Sequence, residues 1–140
     1  MTRPAQWTDA QIVAACHTHA TALPEHPDCV RIAGEWLDAQ RRTKTTTTAR
    51  WPAPLKHLIE AWGLRYVTED DVTTAARLLC LRGRYPFFNI RSELTLPSCE
   101  RLCGIGEAGA HPGYGYRARD EHYMRRASFT QRQVVTSIKS

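Results

Sequence analysis

Between Thr8 and Gly83 the chain is cut by Pro24, Pro27, Pro54 and Gly63 into four segments, each with apolar residues at helical spacing. A proline inside a helix removes an amide donor and clashes with the preceding turn, so no helix can run through these points. The punctuation therefore predicts a mainly α fold, a small bundle of four to five short helices. Thr8 opens a capping box with Gln11, and Ile12, Ala15, Cys16, His19 and Leu23 carry the first stripe to about residue 22. Asp28 is the expected cap of the second helix, "CVRIAGEWLDAQRRTK". Val30, Ala33, Trp36 and Leu37 face inward there, with Arg31, Glu35, Asp38 and Arg42 on the wet side.

Pro54 suits the first turn of a third helix with Leu55, Leu58, Ile59 and Trp62 inward, and Gly63 suits its end. "LRYV" (64–67) reads as an extended link, and Thr68 caps a fourth helix whose first turn is acidic, favourable at the positive end of its dipole. Val72, Ala75, Ala76 and Leu79 face inward, and Gly83 is the expected stop. Beyond it "RYPFFNIRSELTLP" predicts a short strand pair or an ordered loop over the core, and Ser98 can cap one further turn. These assignments give a helical core domain at 1–111 and a basic, aromatic C-terminal arm at 112–140.

The chain has 140 residues, enough for one domain. No run approaches the ~18 to 20 apolar residues that span a bilayer, so no membrane partner is expected. The polar start lacks the apolar core of a secretory signal, which makes a cytoplasmic setting the expectation. Five unevenly spaced cysteines then read as free thiols.

Charge is the informative part of the composition. Of the net +5, residues 1–111 contribute +1 and residues 112–140 contribute +4. Such asymmetry points to a partner of opposite sign. In the arm, Tyr114, Tyr116 and Tyr123 alternate with Arg117, Arg119, Arg125 and Arg126. Arginine offers a planar fork to phosphate and tyrosine a ring on which an unstacked base can lie. A second basic patch, Arg41, Arg42, Lys44 and Arg50, brackets the run Thr45–Thr48, and Arg82 and Arg84 flank Gly83.

Other motifs fail on context. A helix-turn-helix over 70–90 would put Pro86 inside the recognition helix. "GIGEAG" (104–109) spells a dinucleotide fingerprint but lacks the preceding strand and following helix, so it reads as a connector. His26 with Cys29, and Cys99 with Cys103, are two half-sites of loose spacing, and no metal or other cofactor is expected. Asp120, Glu121 and His122 are adjacent, which keeps them from converging on one substrate, and His57 with Glu60 shares only an ordinary helix face. No catalytic residue is assigned. The expected function is that of a small non-catalytic nucleic-acid-binding protein or nucleoprotein accessory subunit, with DNA or RNA as partner. The alternative is a protein-interaction module, an inhibitor or accessory subunit that binds an acidic protein surface.

Overall fold

The structure, a computed structural model, describes residues 2–48, 51, 53–110, 123, 125 and 126. Among them are four α-helices, α1 (Asp9–His19), α2 (Pro27–Asp38), α3 (Leu55–Gly63) and α4 (Glu69–Leu78). The fold is mainly α, as the punctuation predicts. Thr8 and Gln11 form the capping box of α1, and Thr68 and Asp71 that of α4, so each side chain satisfies an amide the helix itself leaves open. The cap of α2 is His26 rather than Asp28, because Asp28 is engaged elsewhere. His26 Nδ1 accepts the Asp28 amide at 3.0 Å, while the Asp28 carboxylate takes Arg31 and the backbone amide of Glu107.

The central element is α2, which packs against the other three helices and two 3-10 turns, Pro4–Gln6 and Cys99–Leu102. This explains why Glu35, expected on its wet side, is fully buried. Its carboxylate accepts the Ala5 amide at 2.9 Å, Arg3 at 3.1 Å and Arg101 at 2.9 Å, and so fastens both turns to the helix. The helix stops at Asp38, short of the expected Lys44, and Arg42 enters a β-bridge with Ile90. Asp38 pairs with Arg101 at 3.1 Å.

Gly63 is required by packing more than by helix termination. A methyl group there would collide with Cγ2 of Ile32, so its absence lets α3 close on α2. The reversal out of α3 falls to Leu64, at φ 53°. The residues 64–67 form no strand. Likewise α4 ends at Leu78, with Cys80 at φ 61° making the exit, and Gly83 serves the next element.

That element is a hairpin of β1 (Gly83–Arg84) and β2 (Phe87–Phe88), antiparallel with Gly83 opposite Phe88. It occupies the place where a recognition helix would stand. β3 (Thr95–Leu96) pairs in parallel with β4 (Arg125–Arg126). Ser98 caps the second 3-10 turn by accepting the Glu100 amide. The glycine-rich stretch after it is a series of turns, fastened to the end of α3 where the Gly109 amide donates to the Gly63 carbonyl at 2.8 Å. Among the described residues no helix is long and apolar enough to cross a membrane.

Candidate functional site

The threonine-rich loop after α2 does not wander from the body. It runs along the hairpin and its continuation, with the Arg91 amide bonded to the Arg41 carbonyl, Thr43 to Asn89 and Thr47 to Phe88. The organising group is the buried side chain of Asn89. Its Oδ1 accepts the Arg82 amide at 2.7 Å and its Nδ2 donates to the Thr43 carbonyl at 3.0 Å. One amide thus holds two chain segments that no β-ladder joins. Arg82 adds a second tie by donating from its guanidinium to the Lys44 carbonyl. Gly83, at φ 98°, lies where a side chain would strike the Phe87 carbonyl and Thr46, so the loop can sit directly on the hairpin.

The result is one layer, built from 41–47, 82–84 and 87–91, that displays Arg41, Arg42, Lys44, Arg82 and Arg84, all exposed. Two patches separated by about forty residues of sequence are carried on adjoining segments. Arg77 joins it from α4, bound to the carbonyls of Leu81 and Gly83. The cations of the described residues divide into two groups. Arg3, Arg31, Lys56, Arg65, Arg91 and Arg101 each lie within ion-pair distance of a carboxylate. Among the described residues Arg41, Arg42, Lys44, Arg77, Arg82 and Arg84 have no carboxylate partner.

At one edge of this layer, between the end of α1, the outer face of α4 and β1, an open cleft of about 590 Å³ is lined by Thr18, His19, Thr73, Arg77, Arg84 and Tyr85. His19 therefore stands on the rim of a cationic cleft, exposed, and is not the core histidine its spacing suggests. The stripe of α1 buries only Ile12 and Cys16, and Leu23 lies in the open beyond the helix end. Thr18 and Thr73 supply hydroxyls and among the described residues no carboxylate lines the cleft, a combination suited to an anion.

Of the arm, Tyr123 is placed against the core. Its hydroxyl accepts the indole N–H of Trp36 at 3.0 Å, with ring centroids 6.4 Å apart. Burial pushes its phenol up to about 12, partly offset by the Trp36 bond. β4 sets the backbones of Arg125 and Arg126 beside Thr95 and Leu96. The Thr95 backbone is itself held by the Gln40 side-chain amide, at 2.8 and 2.9 Å, one residue before the cationic loop begins. Arg50, Tyr114, Tyr116, Arg117 and Arg119 lie outside the described residues, as do Asp120, Glu121 and His122.

The half-sites considered for metal are separated by their surroundings. Cys29 is fully buried, the Nδ1 of His26 caps α2, and Cys99 and Cys103 are exposed. Among the described residues no three His, Cys, Asp or Glu side chains cluster as metal ligands would. His57 lies 3.9 Å from the buried Glu60, whose carboxylate also accepts the Val67 amide and so braces the link after α3. Asn89, Arg77 and the two cleft threonines were not singled out by the sequence, and His19 was placed on the inward stripe of α1; the Asn89 role rests on a partner 46 residues away. Compared with protein-family models, with curated proteins and with solved structures, the chain matches none.

Proposed function

We propose that the chain is a small non-catalytic nucleic-acid-binding protein, an accessory component of a nucleoprotein complex that grips DNA or RNA by its phosphates. The observation that carries this reading is the division of the described cations, with those lacking a carboxylate partner all in or beside one layer. Gathered like charges repel one another and cost stability, yet they attract a polyanion strongly and steer its approach. Arginine predominates, the side chain whose fork matches phosphate. The arm residues Tyr114, Tyr116, Arg117, Arg119, Arg125 and Arg126 would extend the grip, in a cytoplasmic setting where nucleic acid is at hand. Affinity rests on phosphates, so sequence preference is weak.

The test is fluorescence anisotropy of labelled DNA and RNA across a salt series. Wild type is expected to give a linear fall of log affinity with log salt, of slope roughly −0.9 per phosphate neutralised on duplex DNA. The variant Arg41→Ala/Arg42→Ala/Arg82→Ala/Arg84→Ala should bind far more weakly and with a slope shallower by roughly 3 to 4, while circular dichroism remains helical. Wild-type slope in that variant, or no binding by wild type at low salt, overturns the reading. The latter result, with capture of an acidic protein through the same arginines, establishes the interaction-module alternative.

A further inference from the structure

Tyr85 is a wall shared by two clefts of opposite character. On one side is the cationic cleft with Arg77 and Arg84. On the other is a smaller cleft of about 250 Å³, walled by Trp51, Pro54, Tyr85, Pro86 and Phe87, with Glu69 at its edge. The rings are held in place before any ligand arrives. Tyr85 Oη accepts the Lys56 amide at 3.1 Å and its ring stands edge-on to Phe88, at 6.3 Å and 73°. Trp51 Nε1 donates to the Ser92 carbonyl at 2.9 Å. Glu69 is exposed and among the described residues no cation pairs with it. A carboxylate there repels phosphate but accepts N–H donors.

We infer that the aromatic cleft receives the base of an unpaired nucleotide whose phosphate lies in the adjoining cationic cleft, and that Glu69 favours guanine. This rests on the nucleic-acid reading and specifies it as single-stranded. Every base has a face that stacks on an aromatic ring, so the cleft accepts any base once it leaves a duplex. Selection falls to the edge of the base. Guanine presents N1–H and the N2 amino group side by side, matching the two oxygens of a carboxylate, whereas thymine presents a single N–H. Tyr85 lines both clefts, so one nucleotide can reach into both.

The test uses the full chain with labelled oligo(dT), an alternating guanine–thymine strand of equal length, and a blunt hairpin duplex, at one salt concentration. The guanine-bearing strand is expected to bind about tenfold or more tighter than the hairpin. Phe87→Ala should lower strand affinity about tenfold more than it lowers hairpin affinity. Glu69→Gln, which replaces one acceptor oxygen by a donor, should bring the two strands to equal affinity without changing the salt slope. Equal binding of strands and hairpin, unaltered by either variant, overturns the cleft assignment and leaves phosphate binding by the layer intact. Failure of every nucleic acid to bind overturns both. Quenching of tryptophan fluorescence by a proline-rich peptide, lost in Phe87→Ala and not reproduced by the strands, assigns the cleft to a peptide and likewise overturns the proposal.

Discussion

Cys29 shows what burial does to a single ionisable group. It is fully buried in the first turn of α2, and desolvation, reinforced by the nearby Asp71 charge, raises its thiol from 9.0 to about 12. Below about pH 9 the thiol is neutral in both folded and unfolded chains and contributes no pH dependence. Between about 9 and about 12 the unfolded chain releases the proton and the folded one retains it, so stability falls as pH rises. Within that window the loss approaches roughly 1.4 kcal/mol per pH unit. Urea unfolding midpoints at about pH 8 and pH 10 measure it, and Cys29→Ala should flatten the dependence. Equal slopes in the two proteins would remove Cys29 as its source. The sequence marked the cysteine only as a free thiol, since type alone does not decide burial: Cys16 and Cys29 are buried while Cys80, Cys99 and Cys103 are exposed. Nor was the burial of Glu35 legible, because burial of a carboxylate depends on partners 30 to 66 residues away.

At the scale of elements, the local signals were read well and the distant ones were silent. Threonine caps and the inward stripes of α2, α3 and α4 are each encoded within a few residues, and all appear in the structure, whereas Pro54 stands as the N-cap of α3 and Pro27, read as a break, begins α2. Where the expectation failed, a tertiary partner had displaced a local rule. Asp28 left the cap position for Arg31 and Glu107, and α2 ended early so that Gln40 could take the Thr95 backbone. The candidate site divides in the same way. Its arginines stood out by composition, but their convergence rests on Asn89, which looks like any loop asparagine. Asn89→Ala should therefore leave the Arg82 amide and the Thr43 carbonyl without partners and destabilise by roughly 2–4 kcal/mol. Nucleic-acid affinity should fall with it although no cation is removed. Unchanged anisotropy titrations in this variant would show that the layer does not need its amide bridge.

For the whole molecule, the helices and the cationic layer differ in how far along the chain their contacts reach. The helices close on local hydrogen bonds, whereas the Arg82 tie to Lys44 spans 38 residues and the Asn89 tie to Thr43 spans 46. Each strand of the hairpin is two residues long, which offers little ladder to hold it independently. Such a layer is expected to open before the helices do. Amide hydrogen exchange should accordingly be faster at Thr43, Thr47, Arg82 and Asn89 than in the middle of α2 and α4, and slower again once an oligonucleotide is bound. Uniform protection across layer and helices would contradict this order.

Asn89 gives that order a consequence for the age of the protein. Deamidation converts its donor nitrogen into an acceptor oxygen facing the Thr43 carbonyl, two acceptors with no hydrogen between them. A single hydrolytic event, with no chain cleavage and no loss of helix, would let the loop lift from the hairpin. On the proposed function a stored sample would then retain its spectrum and lose affinity for nucleic acid, and the affected molecules would carry one added negative charge by which they can be separated.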